Sequence, residues 1–187
     1  DDRYFQDKYQ AIPQDGYTKM VENILRNPLI KVELNTDFND VKDQIEYERL
    51  FFSGAIDEFF DYELGRLPYR SLDIVFRKYD CEYLQSGPQL NFPENYDYTR
   101  SVEYKYYLGE KSDKTIVSYE YPCVYEEGRN ERYYPIPNED NQHLYSQYLN
   151  KAKELKSVYF IGRLGDYKYY NMDQTVARAL ELFEGVK

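Results

Sequence analysis

The sequence predicts an α+β fold in which two α/β ends flank an antiparallel sheet. Three observations carry this prediction. Residues 1–50 and 138–187 combine helical apolar periodicity with short strand-like runs, residues 51–137 alternate with period two, and prolines punctuate that middle stretch at the strand ends.

In the first segment, Tyr17, Met20, Val21, Ile24 and Leu25 fall at helical spacing and make one apolar stripe. Asn27-Pro28 stops that helix, because proline disfavours a helical conformation in the residue before it. KVELNTDF (31–38) then reads as a short strand with Val32 and Leu34 inward. In the middle segment, Leu72, Ile74 and Phe76 share one face of a strand, and Val102, Tyr104 and Tyr106 share a face of another. Ile116 opposes Val117, Tyr119 and Tyr121, with LGEKSDK as the hairpin connection before them. In the last segment Asn138 caps a helix with Glu139 and Asp140 in its first turn and Leu144, Tyr148, Ala152 and Leu155 as its stripe. VYFI (158–161) reads as a parallel strand covered on both faces, and a final helix puts Val176, Ala179, Leu180 and Phe183 together. The arrangement predicts one α/β domain interrupted by an inserted sheet. The abrupt opening DDRYFQDKYQ predicts a cut through a longer protein whose first half is missing.

Composition narrows the partners. The formal net charge is −10, so the general basic footprint of a nucleic-acid binder is absent. An anionic ligand must then be drawn by local arginines against the overall field. No apolar run approaches the ~20 residues of a membrane span. Cys81 and Cys123 stand far apart, outside metal or redox spacing, and read as reduced thiols of a cytoplasmic protein. The 24 tyrosines against 10 phenylalanines suit semi-polar sheets and wet clefts, each ring keeping a hydroxyl for water or ligand.

Among candidate functional residues, Arg70 and Arg100 sit at strand starts, and Arg163 follows the strand-ending Gly162. A guanidinium grips phosphate oxygens bidentately, although an ion pair with one of 34 acids is the ordinary alternative. Tyr133, Tyr134 and Tyr169 read as loop residues with hydroxyls for a phosphate or rings for a sugar, or else as packing. Glu120 lies on a strand among apolar neighbours. His143, the only histidine, falls on the polar side of a helix, so Ser-His-Asp and Cys-His arrangements are weakly supported.

The motifs YQAIPQDGYTKM, NTDF, GAIDEFFDYELGRLPYRSL, YTRSVEYKYY, YEYP, YYPIP and GRLGDYKYYNMDQ, in this order, resemble the C-terminal half of bacterial UDP-galactopyranose mutases across essentially the whole chain. The resemblance implies part of an FAD-binding, amine-oxidase-type α/β domain (1–50 and 138–187), interrupted by a roughly six-stranded antiparallel sheet on the substrate side (51–137). It implies an isomerase interconverting UDP-galactopyranose and UDP-galactofuranose through a covalent adduct with reduced FAD, in the synthesis of surface glycans. Arg100 resembles the arginine that pairs with the substrate diphosphate, and Arg163 the one beside flavin and galactose. Tyr169 and the YYPIP tyrosine, taken as Tyr133 ahead of Tyr134, resemble phosphate-contacting tyrosines, Tyr9 resembles another substrate tyrosine, and Glu120 an active-site glutamate. Gly162 to Asp173, with Arg163, Asn171 and Met172, resembles the segment that meets the flavin. Asn171 departs from the acid that members of the family carry there; it still caps and hydrogen-bonds but cannot ionise.

The expected partners are therefore UDP-galactose and the missing N-terminal FAD and helical portion. A homodimer is left open, and the isolated piece is expected to hold FAD weakly and to be inactive. A module that binds carbohydrate or a partner without catalysis is the competing reading, distinguished by sugar binding independent of UDP.

Overall fold

A computed structural model of the protein describes residues 6–187. Its elements are α1 (Gly16–Ile24), α2 (Phe38–Val41), β1 (Leu50–Phe52), α3 (Ile56–Phe59), β2 (Tyr69–Tyr79), β3 (Gln89–Asn91) and β4 (Arg100–Glu103). Then follow α4 (Lys105–Leu108), β5 (Thr115–Val124), β6 (Tyr134–Pro135), α5 (Glu139–Ala152), β7 (Val158–Phe160), α6 (Gly162–Gly165) and α7 (Met172–Val186). The chain divides into two compact units. One comprises Asp1–Ile45, Lys78–Pro88 and Glu103–Val117; the other comprises Glu46–Arg77, Gln89–Val102 and Ser118–Lys187.

In the first unit α1 forms where its apolar spacing predicts, but Val21 and Ile24 stay exposed. KVELNTDF is not a strand. Residues 31–35 form no ladder, and Asn35 adopts φ 54°, which breaks an extended run. Asp37 then caps α2, its side chain accepting from the Asn39 amide at 2.8 Å. Val32 and Leu34, expected inward, are exposed. The alternation through Tyr104 and Tyr106 also ends early. The Glu103 carboxylate is fully buried and accepts from Thr115 Oγ1 at 2.6 Å and from the Leu84 and Gln85 amides. The Lys105 amine donates to the Glu82 and Ser112 carbonyls, and the chain turns into α4 instead of continuing as a strand.

The five-stranded sheet has the order β3-β4-β5-β2-β6, one strand fewer among the described residues than the resemblance implies. Residues 92–99, which contain Pro93 and the left-handed Asn95, bend between β3 and β4 and extend neither. β3 pairs antiparallel with β4 (Leu90↔Ser101), as β6 does with β2 (Arg70↔Tyr134). Tyr134, expected in a loop, therefore belongs to a strand. Within VYFI, Val158–Phe160 form a parallel strand, β7, which pairs with β1 in the register Phe51↔Tyr159, while Ile161 leaves it to start α6. The sequence reading missed β1, and its boundary at 50/51 falls inside that strand.

The core of the second unit gathers Ile56, Leu67, Tyr69, Tyr148, Phe160 and Tyr167. Phe59 meets Phe160 edge-on at 5.0 Å and Phe60 stacks on Tyr148 at 5.9 Å. Of the three core tyrosines, Tyr148 and Tyr167 satisfy their hydroxyls, whereas the buried Tyr69 hydroxyl has no hydrogen-bond partner among the described residues. Tyr148 Oη donates to the Gly65 carbonyl at 2.7 Å, and Tyr167 Oη donates to the Pro68 carbonyl at 2.7 Å. Asn138 caps α5 as its sequence predicts, accepting from the Asn141 amide at 2.8 Å. On α7, Val176, Leu180 and Phe183 share a face that is more than half exposed. No helix among the described residues is long and apolar enough to cross a membrane.

Candidate functional site

Three local devices bring the predicted residues to one place in the second unit. Arg100 opens β4, and β5 carries Glu120, so the sheet order sets the two on adjacent strands. Arg100 Nη1 lies 3.4 Å from Glu120 Oε2, and the Glu120 side chain is mostly sheltered. This contact is longer than the about 2.7–2.9 Å of a strong charge-assisted hydrogen bond. Arg100 Nε is sealed from solvent and has no hydrogen-bond partner among the described residues. The guanidinium is thus held but not saturated.

β6 supplies the second device. Pairing with β2 fixes Tyr134 opposite Arg70, and the Tyr133 amide donates to the Arg70 carbonyl at 3.1 Å. The Tyr133 and Tyr134 rings lie 6.3 Å apart. Burial pushes the Tyr134 hydroxyl above its ordinary value; the charges of Arg100 and Arg163 oppose this, while Glu120 and Tyr169 reinforce it. One phenol therefore senses all four neighbouring groups.

The third device is the turn after β7. Gly162 takes φ 84°, a left-handed conformation that favours glycine, and starts α6. Gly165 packs against backbone: a Cβ there would stand 3.2 Å from the Phe52 carbonyl oxygen and 3.3 Å from the Phe160 carbonyl carbon. Tyr167, at φ 44°, buries its side chain in the core. The turn is anchored, and Arg163 and Tyr169 project from it. The Arg163 guanidinium sits 4.3 Å over the Tyr169 ring, while its Nε donates to the Tyr170 carbonyl at 2.8 Å. Tyr169 in turn stacks on Tyr134 at 5.7 Å.

Tyr134, Tyr169 and Arg163 thus form one stacked run with Tyr133 at its side, and the Arg100–Glu120 pair lies near enough for its charges to act on the Tyr134 phenol. Two guanidiniums against one carboxylate give a locally positive site on a chain of net charge −10. Phenols between them add hydroxyl donors and apolar ring faces. Such a donor set suits a phosphorylated, hydroxyl-rich ligand. A cavity of about 420 Å³ beside Tyr169 is lined by Pro135, Tyr145, Asp166 and Lys168 among others. A larger hollow of about 570 Å³, lined by Tyr62, Tyr69, Tyr125, Arg66 and Arg132, is less suited to an anion. Its cations are already taken, Arg132 by Glu58 at 2.6 Å and Arg66 by Glu127 at 2.8 Å.

The remaining predicted residues are placed as follows. Asn171 caps α7 in a capping box with Gln174, whose side chain accepts from the Asn171 amide at 2.9 Å. Met172 and Asp173 form the exposed first turn of α7. Tyr9 lies in the first unit, 82% exposed, with the Lys8 amine 5.1 Å from its ring centroid. His143 is exposed on α5, beside the Gln147 amide, as its sequence position predicts. Both cysteines are free thiols, and no metal-holding cluster of acids, cysteines or histidine occurs among the described residues. Sequence reasoning weighed Arg70 without selecting it; its pairing with Tyr134 is the missing signal. It overlooked Asp166, Tyr170 and Arg178, which nothing short of the fold brings together.

Residues 1–169 match the family described as GLF: UDP-galactopyranose mutase. The chain is 38% identical to the dTDP-fucopyranose mutase of Escherichia coli over 97% of its own length and 50% of that protein's. It is 38% identical to a probable UDP-galactopyranose mutase of Klebsiella pneumoniae, covering 97% of the chain and 47% of the relative. With the UDP-galactopyranose mutase of Mycoplasma genitalium the identity is 37%, covering 95% and 48%. The chain thus spans about half the length of the curated relatives it matches. With a family match over nearly all of its residues and these relatives behind it, the chain belongs to the UDP-galactopyranose mutase family.

Proposed function

We propose that this chain is the C-terminal portion of a flavin-dependent isomerase that interconverts UDP-galactopyranose and UDP-galactofuranose, and that Glu120, Arg100, Tyr134, Tyr169 and Arg163 together receive the nucleotide sugar. The observation that carries the reading is the convergence of two arginines and two stacked tyrosines on one rim, in a family whose members are named as mutases of nucleotide sugars. Arg100, whose Nε lacks a partner, takes the diphosphate by exchanging its long contact with Glu120 for phosphate oxygens. Tyr134 and Tyr169 donate hydroxyls to phosphate and present ring faces to the sugar, and Tyr133 flanks them. Arg163 orients the hexose end.

The residues proposed for FAD fit that group. The first turn of a 15-residue helix, α7, offers the backbone of Met172 and Asp173 at its positive end, with an exposed apolar thioether beside it. Gly162 and Arg163 lie on the preceding turn, and the parallel β1/β7 pair is the share of a Rossmann-like sheet this chain would contribute. Reduced flavin, when bound, supplies the nucleophile for the sugar's anomeric carbon. The other half of the flavin site belongs to sequence that the relatives carry beyond this span. Retention of little or no flavin absorbance by the purified chain is the expected result.

Titration calorimetry with UDP tests the reading. Arg100→Ala is expected to weaken binding by about 1.5–3 kcal/mol, the value of hydrogen bonds to charged groups. Sugar binding that is indifferent to UDP and to Arg100 would replace this reading with the non-catalytic one. Running dTDP alongside UDP separates the two nucleotide classes named among the relatives.

A further inference from the structure

The turn carrying Arg163 and Tyr169 is tied to α7 by a contact that no sequence motif announces. Arg178, near the middle of α7, grips Asp166 with two parallel bonds: Nε to Oδ2 at 3.1 Å and Nη2 to Oδ1 at 3.1 Å. Side-chain exposures of 29% and 14% shelter the pair from the screening that makes most surface ion pairs weak. The Tyr170 hydroxyl donates to the same Asp166 Oδ2 at 3.2 Å. The Tyr170 carbonyl, one residue's backbone away, is the group that holds Arg163 Nε. The path is short and made only of contacts: Arg178 to Asp166, Asp166 to Tyr170, and Tyr170 to the guanidinium that lies over Tyr169. Tyr167 pins the turn from the core side, so Asp166 is its tether on the helix side.

We propose that Asp166 and Arg178, with Tyr170 between them and the site, are positioning residues that fix the pose of Arg163 and Tyr169 toward the ligand. This rests on the functional reading above. A flexible arginine would lose rotamer freedom on binding; one already bonded through Nε retains its terminal nitrogens for the ligand and has less freedom left to lose. Bidentate geometry matters here because it sets an angle as well as a distance, which a lysine at 178 would not do.

The test follows the Arg163 Nε–H resonance in the 15N-labelled chain and, separately, UDP affinity. In the unaltered protein the resonance is expected to be ring-shifted by Tyr169 and slow to exchange. In Arg178→Ala and in Asp166→Asn it should exchange about tenfold faster as local opening becomes easier. UDP should bind about tenfold more weakly, the order expected when a binding group is misplaced by a fraction of an ångström. Arg178→Lys, which keeps the charge but not the two-bond geometry, should restore both readouts only in part relative to Arg178→Ala. If a single variant fails to fold, Tyr170→Phe removes one hydroxyl bond and carries the same measurement. An unchanged Arg163 resonance in the folded single variants, whatever happens to the melting temperature, overturns the proposal. If the unaltered protein binds no UDP, the functional reading fails instead, and the Arg163 resonance alone decides the positioning role.

Discussion

Tyr134 and Tyr169 stack with ring centroids 5.7 Å apart and 24° between their planes, which joins the sheet's two-residue edge strand to the turn that follows β7. A double-mutant cycle on Tyr134→Leu and Tyr169→Leu should therefore give a coupling energy of about 0.5–1.5 kcal/mol in thermal or urea unfolding. Strict additivity of the two changes would mean that the rings only happen to lie close.

Glu120 competes with any anionic ligand for Arg100. Glu120→Gln keeps the shape and removes the charge, so UDP should bind a few-fold more tightly, with a steeper dependence on salt. Weaker binding to Glu120→Gln would show instead that the carboxylate helps Arg100 hold its ligand pose.

Glu103 is the structural acid of the first unit. Burial acts to raise its carboxyl, but bonds from Thr115, Gln85 and Leu84 and the nearby Lys105 ammonium outweigh it, and the carboxyl titrates below the usual range. A lowered folded-state value stabilises the protein above the unfolded carboxyl's titration and loses that contribution as pH falls through the folded one. Glu103→Ala should destabilise by about 3 kcal/mol at pH 7, leaving the Leu84 and Gln85 amides and the Thr115 hydroxyl without their buried acceptor. The difference from the unaltered protein should shrink in acid, as read from melting temperatures between neutral pH and about pH 3.

Asp57 behaves oppositely. It is buried, its Oδ2 accepts from the Leu67 amide at 2.9 Å, and its Oδ1 has no partner among the described residues. Burial raises its carboxyl, although the Leu67 bond and Arg132 pull the other way. The folded state thus binds this proton more tightly than the unfolded one. That contribution is fully present below the unfolded value and is lost as pH rises through the folded one. Asp57→Asn, which can still accept from Leu67, should equal or exceed the unaltered protein in stability at pH 7 and lose any advantage toward pH 4. A large loss at neutral pH would show that the charged form is the one the fold requires.

Particular elements show what could be read in advance. Helices α1, α5 and α7 were legible because an apolar repeat of 3.6 and a capping asparagine are local properties; Asn138 and Asn171 both sit at the helix starts their chemistry prescribes. KVELNTDF failed because alternation describes a strand only if another strand accepts its ladder, and Asn35 breaks the run. Tyr104 and Tyr106 failed for a different reason: the bonding of Glu103 and Lys105 overrides the period-two pattern at that point. At the site, Arg100, Glu120, Tyr134, Tyr169 and Arg163 were each selected from local context or from the resemblance. The Asp166–Arg178 bond had no signal, since an acid and an arginine twelve residues apart are commonplace in a chain with 34 acids and 24 basic residues.

By itself the sequence determined the family and the helices α1, α5 and α7, because residue chemistry and periodicity are carried by neighbours along the chain. Only the tertiary structure decided that β6 sets Tyr134 opposite Arg70, that Glu120 faces Arg100 and that Asp166 meets Arg178. Those meetings depend on strand register and on turns anchored in the core, and both are set by which distant groups can be buried together with their hydrogen bonds satisfied.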